Sequence, residues 1–305
     1  MEKTSTHRVK DVGQLFNIKK ERVSTQCVCC GSEDIKSSPA ILMPFVAHRI
    51  FDWVPVVIDD TWGLSTIKKG NAYSICKSLY CSNCGFLFLD IRFSDNELSR
   101  LYDDYRGVEY NSLRETYEPG YTLRNNSLNA GIGYIKDIET FLAPHLNHPL
   151  TILDWGGDIG KNTPFKSNNE TFDIYDISNK DVIAGAKIVS KEEVFSNKYS
   201  LIICSNVLEH VPYPSTLLLD IVSAMDNDSI LYLETPLEDV VLNNEGDLHL
   251  LKKHWHEHIN FYSEKSLEHL VKNVGLEVLS LKKLQVTAGG RSLYVFQVAC
   301  KLKYD

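Results

Sequence analysis

The sequence has no surplus of positive charge: 32 lysines and arginines stand against 40 aspartates and glutamates, a formal net charge of −8. Nucleic acids and anionic membrane surfaces both select for a basic face, so neither is an expected partner. No apolar run approaches the ~20 residues of a membrane-spanning helix. The first ten residues, MEKTSTHRVK, have no apolar core of the kind a secretory signal carries, and the expected location is the cytoplasm. Residues 1–20 are polar and unpatterned, and are expected to be flexible. Cysteine is nearly absent from the later chain, with only Cys204 and Cys300 beyond position 84. What is present is an ordinary globular composition, 43% hydrophobic and 24% charged over 305 residues. That is enough for a substantial core and about two domains.

Six cysteines crowd into the first 84 residues: Cys27, Cys29, Cys30, Cys76, Cys81 and Cys84. In a reducing compartment, clustered cysteines suggest a metal rather than disulfides. CVCCGS (27–32) and CSNCGF (81–86) both contain C-x-x-C-G. The two-residue spacer lets both thiolates of a knuckle face one ion, and the glycine permits the tight turn that follows. Cys27, Cys30, Cys81 and Cys84 are therefore the expected ligands of a structural Zn2+ with no position open to substrate. Cys29 and Cys76 are spare thiols, and adjacent Cys29 and Cys30 make a poor chelating pair. The long gap between the knuckles must hold an insertion, of which 39–58 reads as strands and turns. Residues 21–92 form the expected zinc-binding module.

A helical linker or lid is expected over 93–147. Ser94 and Glu97 form a capping box, and Leu98, Leu101, Tyr102 and Tyr105 keep helical spacing, so 94–106 reads as a helix. Tyr110, Arg114, Tyr117 and Tyr121 follow. Either these aromatics pack on the next domain, or the segment is a lid offering Tyr110, Arg114 and Tyr117 to an anionic or sugar-like ligand. A second helix, about 122–143, carries the apolar stripe Leu128, Ile132, Ile135, Ile138 and Leu142.

From residue 149 short apolar strands alternate with helices. PLTILDW (149–155) runs into GGDIG (156–160), a buried strand followed by a glycine-rich turn that lets backbone approach a ligand. TFDIYD (171–176) ends on Asp176, an acid placed to bind ribose hydroxyls. AKIVS (186–190), YSLIICSN (199–206) and SILYLETP (229–236) are further strands, with Pro214 opening a helix between the last two. Ser263 caps a helix that Gly275 stops. Strands over about 276–285 and 291–301, turned by Gly289-Gly290, close the sheet as an antiparallel addition.

ILDWGGDIG, IYDIS, YSLIICSNVLEHVPYP, LYLETP and the closing strand pair resemble class I S-adenosylmethionine-dependent methyltransferases over about 149–301. With VLEHVP, HEHINFYS and the zinc knuckles, the sequence is similar to methyltransferases that carry an N-terminal four-cysteine zinc module. These include sugar C-methyltransferases and proteins linked to surface polysaccharides. The resemblance implies an α/β fold: a Rossmann-like sheet over 148–305, mostly parallel with an antiparallel final strand, behind a small zinc-binding domain. It also implies that Asp154, Gly156, Gly157 and Gly160 shape an S-adenosylmethionine pocket. Asp176 would hold the ribose, with Ser205 and Asn206 beside the cofactor. Asp158 stands where the family often has its middle glycine. The 160–171 connection, containing Pro164, is short for a first helix. The sequence also stops where the common core stops, whereas the sugar C-methyltransferases continue into a further domain.

One stretch remains, KKHWHEHINFYS (252–263), with three histidines and a glutamate within five residues. It follows the strand ending in LETP, so it can reach the carboxyl edge of the sheet, where ligands bind. In the similar sugar methyltransferases a Glu-His pair flanks the acceptor, matching Glu257 and His258, and His210 matches a histidine near the same pocket. Their usual tyrosine two residues before the glutamate corresponds to Trp255, also placed at the acceptor. Methyl transfer from a sulfonium needs alignment first and deprotonation second. A histidine with a pKa near ~6.5 suits that proton transfer. His258 is the expected base, Glu257 its orienter or co-base and His210 a further polar contact. A metal on His254, His256 and His258, and a purely structural role, are the competing readings. The expected reaction is methylation of a sugar or nucleotide sugar, on oxygen rather than carbon because Trp255 has no phenol. Arg106 or Arg114 could meet an acceptor diphosphate. A non-catalytic S-adenosylmethionine-binding scaffold, an RNA methyltransferase and an enzyme acting on another small molecule are the alternatives.

Overall fold

The computed structural model describes residues 18–303 apart from 64, 65, 67, 130, 169, 170, 179, 289 and 290. The expectation of a flexible 1–20 falls almost wholly outside them. The first part of the chain supplies β1 (Ile35–Leu42), β2 (Val56–Ile58), β3 (Gly70–Ala72), β4 (Ile75–Cys81) and β5 (Leu87–Leu89). Between β1 and β2 lies α1 (Pro44–Phe51), where 39–58 reads as strands and turns. Pro44 at the first helical turn presets φ and has no amide to leave unpaired. Density of apolar residues around it hides the helical period.

Four helices follow: α2 (Asp95–Tyr102), α3 (Val108–Tyr117), α4 (Tyr121–Asn129) and α5 (Ile135–Leu142). The capping box on α2 is present, with the Ser94 amide donating to Glu97 Oε2 at 2.8 Å. The helix stops at Tyr102 rather than near 106, since Asp104 and Arg106 take left-handed φ of 48° and 60°. The single helix expected over 122–143 is two, and Gly131 at φ 97° lies in the break.

The remaining elements are β6 (Ile152–Trp155), β7 (Phe172–Tyr175), β8 (Ala186–Ile188), α6 (Lys191–Ser196), β9 (Leu201–Ser205), α7 (Pro214–Ser223), β10 (Ile230–Leu237), α8 (Asp239–Leu242), α9 (Leu248–Leu251), β11 (His254–Trp255), β12 (Asn260–Phe261), α10 (Glu264–Asn273), β13 (Leu276–Ala288) and β14 (Arg291–Leu302). Seven of these strands form one sheet in the order β13-β14-β10-β9-β6-β7-β8. It is parallel from β10 to β8 and antiparallel through β14 and β13, as expected. The expected Gly289-Gly290 turn lies outside the described residues.

Strand side chains alternate between faces, and here both faces are buried. Leu201, Ile203 and Tyr232 enter one core with α5 residues Ile138 and Leu142. Ile202, Cys204 and Leu233 enter another with Leu218 of α7 and Leu267 of α10. That is why the strands read as unbroken apolar runs. The β6–β7 connection has no α-helix among the described residues, only a 3-10 turn at Lys166–Asn168. The apolar surface a crossover helix would cover is covered by α5, which precedes β6 in the chain.

A second sheet runs β11-β1-β4-β5-β12. Its two edge strands come from the histidine-rich segment: β11 pairs parallel with β1, and β12 antiparallel with β5. Residues 254–261 therefore span the N-terminal sheet from edge to edge. The core beneath it is continuous with that of the large sheet, since Cys27, Cys84, Phe86 and Phe88 cluster with Leu153, Ile202 and Val271. Among the described residues no helix is long and apolar enough to cross a membrane.

Candidate functional site

The large sheet grows from β6 in two directions, to β7 and β8 on one side and to β9 and β10 on the other. Loops leaving strands at such a switch point diverge and open a crevice. A cavity of ≈ 360 Å³ is lined by Asp154, Gly156, Gly157, Asp176, Ser205 and Asn206 at these strand ends. Gly156 turns the chain at φ 79°, and a Cβ there would lie 2.4 Å from Val207 Cγ2. Asp154 is 5% exposed and accepts a bond from Thr163 Oγ1 at 2.5 Å, and burial pushes its pKa up to about 6. Asp176 accepts the amides of Asp158 and Ser178, each at 2.8 Å. A carboxylate has about four lone-pair sites, so acceptor capacity remains for a ligand hydroxyl. Asn206 takes φ 55° and its Nδ2 donates to Glu234 Oε1 at 2.9 Å. Fully buried Glu234 also accepts from Tyr134, Ser205 and Tyr232 at 2.8, 2.9 and 2.6 Å, which fixes the floor of the cavity.

The same cavity is lined by Glu209, His210, Glu257 and His258, together with Arg106 and Arg124. Glu209 and His210 lie in the turn after β9; Glu257 and His258 lie between β11 and β12. Backbone staples join the two segments, since the Glu209 carbonyl accepts the amides of Ile259 at 2.7 Å and Asn260 at 3.1 Å. Asn260 Nδ2 donates to the Leu208 and Val211 carbonyls at 2.9 and 2.6 Å. Its Oδ1 accepts from Arg92 at 2.8 Å, a guanidinium whose pKa burial lowers to about 10. Glu209 to Ile259 is thus one hydrogen-bonded unit held from the N-terminal module.

Within that unit each ring is oriented. His258 Nδ1 donates to Glu238 Oε1 at 2.7 Å. Burial lowers the His258 pKa, but the Glu238 bond and the charges of Glu209 and Glu257 outweigh it and raise the value. His210 Nδ1 lies 3.1 Å from the Glu257 carbonyl and 2.8 Å from Tyr102 Oη. Burial and the neighbouring His258 push His210 down to about 3, so it is neutral. Glu209 is 1% exposed, and neither carboxylate oxygen has a hydrogen-bond partner among the described residues. Burial raises its pKa to about 7.

Several expected residues stand elsewhere. Glu257 does not orient His258; its Oε2 accepts from Arg114 at 2.9 Å and Tyr110 at 3.1 Å. Burial raises its pKa, but His256 and Arg114 outweigh that and hold it well below the usual carboxylate range. Arg114 and Tyr110 are buried behind Glu257 and do not line the cavity, so neither is placed to touch an acceptor. Arg106 does line it. Tyr117 pairs with His48 Nδ1 at 3.0 Å, away from the cavity. Trp255 is fully buried and donates to Ser78 Oγ at 2.8 Å, because β11 pairing turns it into the module core. Gly160 does not line the cavity; a Cβ there would lie 2.6 Å from Ile174 Cδ1, so it serves packing. The competing reading of a chelate on His254, His256 and His258 finds no such ligand cluster among the described residues. Glu209, Glu234 and Glu238 were not singled out. The only signals for them are the acid inside VLEH, a lone glutamate within an apolar strand, and an acid just past that strand.

The four expected knuckle thiols converge. Cys27 and Cys84 sulfurs lie 3.7 Å apart, and Cys30 and Cys81 3.6 Å apart. A tetrahedron of Zn–S bonds of about 2.3 Å has edges of roughly 3.8 Å, so the donor set fits that ion. Cys29 points away, to the Ser266 carbonyl at 3.0 Å, and Cys76 is outside the cluster. None of the eight cysteines forms a disulfide.

A protein-family model for a methyltransferase domain matches residues 130–281. The chain carries a methyltransferase domain. The match contains the Asp154 turn, Asp176, Glu209 and His258, and leaves out all four knuckle cysteines. With this domain on a class I sheet, the protein is an S-adenosylmethionine-dependent methyltransferase. No curated protein matches the chain. Solved structures similar to it include an S-adenosylmethionine-dependent methyltransferase of Methanosarcina mazei, at 15% identity and TM-score 0.42, covering 54% of this chain and 98% of that one. Another is the 1,6-didemethyltoxoflavin N1-methyltransferase of Burkholderia thailandensis with bound S-adenosylhomocysteine, at 13%, 0.45, 64% and 90%. A third is the magnesium protoporphyrin IX methyltransferase of Synechocystis PCC 6803, at 15%, 0.42, 67% and 99%.

Proposed function

We propose that this methyltransferase methylates a hydroxyl oxygen of a sugar acceptor, nucleotide-linked or belonging to a surface polysaccharide. The observation that carries the reading is one cavity shared by the strand-end groups Asp154, Gly156, Gly157 and Asp176 and by His258, whose Nδ1 is fixed on Glu238. The likeness of VLEHVP and HEHINFYS to zinc-containing sugar methyltransferases supports the acceptor class. Arg106 and Arg124 at the cavity suit its phosphates, since guanidinium pairs with phosphate in bidentate fashion. A hydroxyl needs a base as the methyl arrives, and His258 at the cavity suits that role, which favours oxygen.

Asp176 would hold the ribose hydroxyls and the glycine turn would admit the amino-acid end. Bound S-adenosylmethionine supplies an electrophilic methyl group on a sulfonium. The acceptor oxygen forms the new O–C bond as the C–S bond breaks, and that electron pair stays on sulfur. The hydroxyl proton passes to His258 Nε2, and Glu238 holds the resulting charge. His210 and Glu209 complete the polar wall. Cys27, Cys30, Cys81 and Cys84 would hold a structural zinc that keeps the N-terminal sheet, and so the 254–261 segment, in place. Free thiols and the acidic balance suit the cytoplasm.

The test is calorimetric titration with S-adenosylmethionine, then incubation of the labelled methyl donor with a panel of nucleotide sugars. Methylation that disappears in His258→Asn is expected. Cofactor binding with transfer only to non-sugar acceptors would overturn the sugar reading.

A further inference from the structure

Three residues of the acceptor wall do not fit a simple hydrogen-bonded site. Glu209, His210 and His258 each offer a ligand atom within 4.8 Å of the others. Their rings meet edge to face, with centroids 4.7 Å apart. In the tautomer that donates from His210 Nδ1 to the Glu257 carbonyl, with the Tyr102 hydroxyl 2.8 Å away as a second acceptor, Nε2 carries the lone pair. That Nε2 lies 3.8 Å from Glu209 Oε1. His258 Nδ1 likewise donates to Glu238, which leaves its Nε2 as the free lone pair. In that arrangement two imidazole lone pairs and a carboxylate converge on one point. Glu209 is 1% exposed and unpartnered, a costly state for a carboxyl group unless a cation meets it.

We propose that Glu209, His210 and His258 bind one first-row divalent cation beside the cofactor pocket. Two histidines and one carboxylate leave positions open on such an ion, and imidazole selects transition metals over magnesium. The surroundings are those of a built site. Each ring is anchored through its other nitrogen, as metal-bound histidines are. The Glu209 carbonyl is tied to the Ile259 and Asn260 amides, which locks the two ligand-bearing segments together. The inference rests on the methyltransferase reading of the cavity and replaces one part of it. With the ion held, its bond would occupy the His258 lone pair and the acceptor hydroxyl would take an open position, its proton leaving to water as the oxygen accepts the methyl group. A sugar diol suits two adjacent positions. This donor set shares only His258 with the His254, His256 and His258 chelate weighed as a competing reading of the sequence.

The test uses full-length, zinc-replete protein and Mn2+, which stands lowest in the divalent affinity series and does not displace zinc from thiolates. Free Mn2+ is followed by its paramagnetic resonance signal, and S-adenosylhomocysteine binding is measured on the same samples. The expected result is one bound Mn2+ per chain, weakened at least tenfold in both Glu209→Gln and His258→Asn and unchanged in His254→Gln. Normal S-adenosylhomocysteine binding in the same variants shows that the fold is retained. Absence of Mn2+ binding in wild type that binds S-adenosylhomocysteine overturns the cation site and leaves His258 as proton acceptor. Mn2+ binding that survives Glu209→Gln and His258→Asn also overturns it. Failure to bind S-adenosylhomocysteine would instead count against the cavity reading beneath it.

Discussion

The two walls of the cavity are built in different ways. The strand-end wall comes from β6, β7 and β9, and its key groups are backbone turns and acids that directly follow apolar strands. The histidine wall brings together the turn after β9, the segment between β11 and β12, Glu238 and Tyr102, and is pinned by Arg92 from the N-terminal module. The first wall depends on local geometry, the second on long-range pairing. Perturbing the module should therefore damage the histidine wall first.

The largest effect should come from removing the proposed zinc. Structural zinc contributes on the order of 10 kcal/mol in small modules. A strong chelator should release one zinc per chain and open 254–261 to protease before 150–205. Simultaneous cleavage of both regions would erase the distinction between the walls.

Arg114→Ala should come next. It strips buried Glu257 of its cation, and breaking a buried pair costs about 3–5 kcal/mol. Urea unfolding would read the loss, and adding Glu257→Gln should recover part of it. A midpoint unchanged by Arg114→Ala would mean that the pair does not hold the histidine wall.

On the opposite wall the expected effect depends on pH. Asp154 is held up at about 6 in the fold by burial, against 3.8 for an unperturbed group. The native state thus keeps a proton that the unfolded chain releases first. Its stabilising contribution is complete below about pH 4 and is lost as pH rises through 6. Wild type should lose about 2 kcal/mol relative to Asp154→Asn between pH 4 and pH 7. A constant difference between the two would show that Asp154 titrates normally.

The smallest effect should be at the seam. Ser263 caps α10, accepting the Ser266 amide at 3.2 Å, and also donates to the Cys84 carbonyl at 3.1 Å. Ser263→Ala should cost about 1 kcal/mol in the same urea assay. No loss would mean that cap and seam are redundant.

Much of the fold was legible because it is local. The capping box at Ser94, the Ser263 cap, Pro214 at a helix start, the buried strands and the closing strand pair each follow from short-range pattern. So did the spacing of the four cysteines. The helix within 39–58 and the break in 122–143 were missed because apolar density and two glycines outweighed periodicity. Trp255 was read as a ligand contact because it matches the position of a tyrosine in the similar methyltransferases, and Arg114 because its residue type suits one. Only the pairing of β11 with β1 sends Trp255 inward, and only the fold puts Arg114 behind Glu257. Glu238 as the partner of His258 depends on a contact between β10's end and the β12 approach, which no window of sequence contains.

The central claim is that the strand-end wall binds the cofactor independently of the histidine wall. Titrating S-adenosylhomocysteine into wild type, Asp176→Ala and His258→Asn tests it directly. The account predicts micromolar binding in wild type and His258→Asn, and at least a tenfold loss in Asp176→Ala. Binding that collapses in His258→Asn while surviving in Asp176→Ala would contradict it.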